Sequence, residues 1–183
     1  MPALPPARAG KSNLAAEEVY SMGVEIERKF LLRHDGWRKR IVKSVHLCQG
    51  YLKTGKDSAC SVRVRVDGEE ARLNIKSATL GTTRTEFDFA IPAADGQALL
   101  EQLCARPFVE KMRHYVEHAG HWWEIDIFEG ENAGLEMAEI ELKQADEPFE
   151  KPDWLGEEVS HDPRYYNSNL VKNPYRNWRS QER

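Results

Sequence analysis

"VEIERKF", residues 24–30, sets Glu25, Glu27 and Lys29 on alternate positions, with Ile26 and Arg28 between them. On a strand, successive side chains point to opposite faces, so these three ionisable groups share one face. An ordinary wet face accepts almost any polar residue, so two acids followed by a base call for a specific reason. The same parity recurs down the chain. In "SVRVRV" (61–66), Arg63 and Arg65 oppose three valines. In "ARLNIK" (71–76), Arg72, Asn74 and Lys76 oppose Leu73 and Ile75. In "RTEFDFAI" (84–91), Arg84, Glu86 and Asp88 oppose Phe87 and Phe89. Lys111 and Arg113 flank Met112, "WEIDIF" (123–128) sets Glu124 and Asp126 against Ile125 and Ile127, and "EIEL" (139–142) sets Glu139 and Glu141 against Ile140 and Leu142.

This alternation predicts eight strands, over 24–32, 46–54, 60–67, 70–78, 83–91, 109–118, 121–128 and 136–143. Turn signals such as Asp67-Gly68 and Ala119-Gly120 separate them. Asp95 opens a helix over 95–105, with Leu99, Leu100 and Leu103 at helical spacing. Residues 145–162 read as irregular, 164–173 as a closing helix before Pro174, and the basic "WRKRIVK" (37–43) as a solvated loop or helix face. Residues 1–21 are set aside as an extension or tag, with a short helix in "NLAAEEVY" (13–20). Residues 22–183 then form a single domain. Many short strands of similar length predict a mainly β fold, either a sandwich or a barrel.

The chain has 183 residues, 31% charged and 40% hydrophobic, with 26 basic against 30 acidic side chains and a net charge of -4. That balance argues against a general nucleic-acid binder. Cys48, Cys60 and Cys104 are odd in number and widely spaced, which excludes a disulfide framework and a thiolate metal site and suits a reduced, cytoplasmic setting. No stretch approaches the ~20 apolar residues of a membrane helix. The six histidines, 34, 46, 114, 118, 121 and 161, are scattered and read as surface or packing residues, as Trp122 and Trp123 read as outer-wall packing.

The faces separate by sign. Acids concentrate in the first strand and the last two, and bases in the third, fourth and sixth, with Lys29 among them. Like charges on adjacent strands repel. Arg63, Arg65 and Lys76 would be tolerated around a polyanion, and Glu25, Glu27, Glu124, Asp126, Glu139 and Glu141 around a hard divalent cation held by oxygen ligands. If the sheet closes with its ionic faces inward, the lumen is basic on one side and acidic on the other. It then suits a phosphate chain carrying metal. The outward apolar faces would need cover from helices such as 95–105 and from the C-terminal segment, and any left exposed permit a homodimer.

Glu25-Ile26-Glu27-Arg28-Lys29 resembles the ExExK signature of the CYTH, or triphosphate tunnel metalloenzyme, family. "QGYL" (49–52), "VRVR" (62–65), "NIK" (74–76), "EKMR" (110–113), "EIDIF" (124–128), "AEIEL" (138–142) and "EEVSHDPRYYN" (157–167) follow in the family's order. The resemblance implies an eight-stranded antiparallel β-barrel forming a tunnel, with a few helices packed outside. It implies metal ligation, by Mg²⁺ or Mn²⁺, at Glu25, Glu27, Glu139 and Glu141, with Asp126 assisting and Glu124 in register beside it. Lys29, Arg63, Arg65, Lys76, Lys111 and Arg113 would line the phosphate path, Arg84 fits the same face, and Lys172 would close one mouth. The catalytic candidates are Glu25, Glu27, Lys29, Lys76, Asp126 and Tyr51, the last as a hydrogen-bond donor or water-orienting group, with core packing as its alternative role. The implied activity is hydrolysis of a small triphosphate or polyphosphate, tripolyphosphate first, with no specific nucleic acid and no membrane partner. The rival readings are a class IV-type adenylyl cyclase and a non-catalytic polyphosphate or nucleotide binder.

Overall fold

The computed structural model describes residues 20–53, 55, 58–68, 70–77 and 83–178, with the side chains of 20–22, 24, 83 and 84 left undescribed. The described residues form nine strands: β1 (Tyr20–Leu32), β2 (Ile41–Tyr51), β3 (Cys60–Asp67), β4 (Glu70–Ser77), β5 (Thr83–Pro92), β6 (Val109–His118), β7 (His121–Phe128), β8 (Glu136–Glu141) and β9 (Leu155–Glu158). The two α-helices are α1 (Ala93–Leu103) and α2 (Asn167–Lys172). All the pairings are antiparallel. No described helix is long and apolar enough to cross a membrane.

Several expectations are corrected. β1 begins four residues earlier than the alternation indicated, and β2 begins five residues earlier. The basic stretch 37–43 is a 3₁₀ turn, Gly36–Arg40, running straight into β2. Residues 145–162 are not wholly irregular, because β9 arises there by pairing with β1. The closing helix is broken into a 3₁₀ turn at Pro163–Tyr165 and the short α2. Tyr20 opens β1, and the rest of the helix expected over 13–20 lies outside the described residues.

The strands pair in the order β5-β4-β3-β2-β6-β7-β8-β1, and β1 also pairs with β5. β1 is divided between its two neighbours. Its first half lies opposite β5, from Tyr20↔Phe89 to Ile26↔Thr83, and its second half lies opposite β8, from Glu27↔Glu141 to Leu31↔Met137. The circuit of eight strands is therefore completed by a staggered joint, and β9 attaches to β1 beyond the end of β5. Tight hairpins keep the register. Ala119 and Gly120 both have positive φ, 49° and 80°, as the turn that matches strand twist requires.

With the register fixed, the apolar faces turn outward. Phe30, Trp123, Ile125, Ala138 and Ile140 form a buried outer cluster with Trp37, Trp154 and Leu155. Trp123 sits at its centre, in edge contact with Phe30, Phe149 and Trp154 at ring separations of 5.8, 5.7 and 5.4 Å. α1 covers β3 and β4 so closely that a Cβ on Gly96 would lie 2.4 Å from that of Ala71. The C-terminal segment does not lie along the outer wall as expected. Tyr165, Leu170, Val171 and Trp178 pack with Leu31, Tyr51, Val109, Phe128 and Met137, whose parity is that of the inward face. The segment therefore stoppers one end of the bore.

Trp123→Ala is expected to cost about 3–5 kcal/mol, since the rings around it cannot collapse into the space. Urea unfolding measures this, and a loss under ~1 kcal/mol would contradict the packing described.

Candidate active site

The inward faces of the ring meet as a dense ionic network. On β1 and β8, Lys29 Nζ lies 2.9 Å from Glu27 Oε1 and 2.5 Å from Glu139 Oε1. On β6 and β7, the Arg113 guanidinium grips Asp126 with two bonds, Nε to Oδ1 at 2.7 Å and Nη2 to Oδ2 at 2.6 Å. It also reaches Glu139 Oε2 at 2.8 Å and pairs with Glu124. Lys111 Nζ donates to Asp126 Oδ2 at 2.5 Å. Across the ring, Lys76 pairs with Glu25 and lies 3.8 Å from Glu86, while Arg72 Nε donates to Asp88 Oδ2 at 2.7 Å. Most of these groups are out of water, Lys111 at 1% and Asp126 at 0% exposure, while Glu27, Arg72 and Glu124 are half-buried.

Such burial is tolerated only because each charge faces an opposite one. Burial works to raise the Glu139 carboxyl, yet Lys29, Lys111 and Arg113 override it and hold that group well below the usual carboxylate range. Burial likewise works against the Lys29 ammonium, and Glu139 and Glu27 override it, raising its pKa. The balance differs at Arg65, whose pKa burial and the neighbouring Arg63 and Arg113 together push down. Among the described residues Arg63 and Arg65 form no ion pair, and the Nε atom of each is buried without a partner. Two adjacent guanidinium groups are thus aimed into the bore with donors unspent.

The lumen is less segregated than the sequence implied. Glu86 and Asp88 stand among the bases of β4 and β5, and Lys29 and Arg113 stand among the acids. Glu25, Glu27, Lys29, Arg63, Arg65, Lys76, Lys111, Arg113, Glu124, Asp126 and Glu139 share the inward parity, as does Glu141, opposite Glu27. Tyr51 lies opposite Arg63, its phenol pushed up by burial and its Oη 3.4 Å from Gln49 Nε2. The Arg84 backbone pairs with Glu25. Lys172 is not brought in; it is exposed and lines an open groove outside the ring with Arg106, Glu110 and Glu131.

Sequence reading overlooked Arg72, Asn74, Glu86 and Asp88 as site residues, although their parity was visible. It also overlooked Ser160, for which there was no local signal. Ser160 Oγ accepts from Lys29 N at 2.9 Å and donates to Glu158 Oε1 at 2.8 Å, tying the C-terminal segment to the strand that carries Lys29.

No three acidic, histidine or cysteine side chains converge on one point among the described residues. The carboxylates are drawn to lysine and arginine instead. The donor set nevertheless fits a hard divalent ion. Carboxylates of β1, β7 and β8 stand in direct register, Glu27↔Glu141 and Glu124↔Glu139, and offer only oxygen ligands.

The family model described as the CYTH domain matches residues 23–166. The chain is 47% identical over 158 residues to the inorganic triphosphatase of Acetivibrio thermocellus, covering 86% of this chain and 99% of that protein. It is 36% identical over 152 residues to the inorganic triphosphatase of Nitrosomonas europaea, covering 80% and 96%. The crystal structure of the inorganic triphosphatase NE1496 superposes with a TM-score of 0.58 at 34% identity, covering 80% of this chain and 93% of that one.

A depressed carboxyl stabilises the folded state above its unfolded pKa of ~4.3, and that contribution is lost as pH falls through the folded value. Metal-free protein is therefore expected to hold its stability from neutral pH down to about pH 5 and to lose it below. In Glu139→Gln the loss below about pH 5 should be shallower. Urea midpoints against pH measure this, and identical slopes would contradict the role given to the Glu139 cluster.

Proposed function

The chain belongs to the CYTH domain family, and on that footing we infer that it hydrolyses a triphosphate, inorganic tripolyphosphate first, to pyrophosphate and phosphate. The observation that carries the reading is the pair Arg63 and Arg65, half-buried on the inward face with their buried Nε donors unspent. A guanidinium fork matches two phosphate oxygens, and a chain of phosphates can satisfy two forks spaced two residues apart on a strand, about 6–7 Å.

The rest of the network supports an exchange of partners. Lys29, Lys76, Lys111 and Arg113 rest on carboxylates, so the interior is neutralised before any ligand enters. A metal–polyphosphate carries both signs and can replace both halves of these pairs. The cationic side chains would turn to phosphate oxygens, which would free the carboxylates to hold the ion. Glu25, Glu27, Glu139 and Glu141 would hold it, with Asp126 and Glu124 beside them, and Mg²⁺ or Mn²⁺ suits that oxygen set. Bound there, the ion would neutralise phosphate charge and activate water. The chain's own part is positioning and electrostatic stabilisation, which dominate phosphoryl transfer. Lys29 and Lys76 stand on opposite sides of the acids of β1 and can take up charge on the phosphoryl group being transferred. Because the C-terminal segment stoppers one end, substrate and products share the other mouth.

Phosphate release from tripolyphosphate, dependent on Mg²⁺ or Mn²⁺ and abolished by chelation, is the expected result of a panel that also includes ATP, thiamine triphosphate and pyrophosphate. Arg63→Ala or Arg65→Ala should lower kcat/KM by about 10–150-fold, the worth of ~1.5–3 kcal/mol for bonds to a charged group. Cyclic AMP and pyrophosphate from ATP, with no turnover of tripolyphosphate, would overturn the assignment.

A further inference from the structure

Asn74 lies on the inward face of β4, directly opposite Arg63 on β3 and Asp88 on β5, and is 1% exposed. Its Nδ2 donates to Glu86 Oε1 and, at 3.4 Å, to Asp88 Oδ1. Two carboxylates on one side of the amide fix its orientation, because a half-turn would set Oδ1 against both acids. The consequence is that Oδ1 is presented away from them, buried and without a protein partner. A buried carbonyl oxygen left in that state costs free energy, so its persistence calls for a group that satisfies it. Besides those two acids, its inward neighbours are cations: Arg63 opposite, Arg72 two residues before, spent on Asp88, and Lys76 two residues after, spent on Glu25.

A fully ionised phosphate chain has only acceptor oxygens and cannot satisfy Asn74 Oδ1. A water molecule can, by donating one O–H to Oδ1 while its lone pair faces phosphorus. We propose that Asn74 is a catalytic residue that orients the attacking water through Oδ1, with Glu86 and Asp88 as positioning residues that hold its amide turned the right way. The proposal rests on the triphosphatase reading and deepens it. In the step it serves, the water oxygen forms a bond to the terminal phosphorus and the bridging P–O bond breaks. One water proton stays on the released phosphate and the other passes to the pyrophosphate. Asn74 takes no proton; it fixes direction, which is what effective orientation contributes to such a reaction.

The test is steady-state kinetics of Asn74→Leu, close in size but lacking the acceptor, together with titration of tripolyphosphate binding by calorimetry in the presence of chelator. Asn74→Ala lacks the same acceptor in a smaller side chain and carries the test if the leucine variant does not fold. The expected result is a fall in kcat of about 100-fold with KM and tripolyphosphate affinity within about threefold of the unsubstituted chain. An unchanged kcat overturns the proposal. So does a loss that appears in KM alone, or a loss of affinity that matches the loss of kcat, since either makes Asn74 a binding group or a structural prop. Failure of the unsubstituted chain to release phosphate from tripolyphosphate with Mg²⁺ or Mn²⁺ would instead sink the triphosphatase reading on which the proposal stands.

Discussion

Ionised side chains packed inside a ring of strands impose the condition that the remainder of this molecule satisfies. A buried lysine or carboxylate is strongly unfavourable alone and is tolerated when opposed by a partner with good geometry. The inward faces meet that condition by register. Lys29 stands opposite Glu139, Arg113 opposite Asp126 and Lys76 opposite Glu86, so register supplies part of the charge pairing; where like charges are opposed, as at Glu124 and Glu139, Arg113 reaches both. A slip of one residue in any strand would turn its charges into the outer aromatic cluster and its apolar groups into the bore. The hydrophobic effect acts on the opposite parity, through Trp123 and its neighbours, and both demands select one register.

That arrangement also explains how one interior can accept a ligand as highly charged as a triphosphate. A cavity of one sign would be unstable while empty. Here acids and bases largely neutralise one another, and among the described residues Arg63 Nε, Arg65 Nε and Asn74 Oδ1, the last opposite Arg63, are buried without partners. These are donors and an acceptor that the fold leaves unsatisfied, and they stand where a phosphate chain and a water can satisfy them. The same seating strains against stability, because the neighbouring guanidinium groups repel, which fits the rule that local cost gathers at functional positions.

Much of this was readable from the chain because a strand has period two. Parity alone placed Glu25, Glu27, Lys29, Arg63, Arg65, Lys76, Lys111, Arg113, Glu124, Asp126, Glu139 and Glu141 on shared faces, and turn residues separated most of the strands. What stayed hidden depends on long-range register. Nothing local says that β1 divides between β5 and β8, that β9 docks beside Phe30, or that Ser160 reaches the backbone of Lys29 from 131 positions away. Charge grouping by strand also misled, since Glu86 and Asp88 neutralise the basic side from within. Lys172 stands apart from the ionic lumen: α2 spends its Leu170 and Val171 on the stopper, and the lysine is exposed in a groove with Arg106.

The central claim is that the ionic lumen exchanges its internal pairs for a metal-bearing phosphate chain. Its most direct test is a crystal structure with tripolyphosphate and Mn²⁺ bound. The account predicts phosphate oxygens on the forks of Arg63 and Arg65, the ion on the carboxylates of β1 and β8, and Lys29 moved from Glu139 to phosphate. Tripolyphosphate seated instead in the outer groove beside Arg106 and Lys172, with the Lys29–Glu139 and Arg113–Asp126 pairs intact, would contradict it.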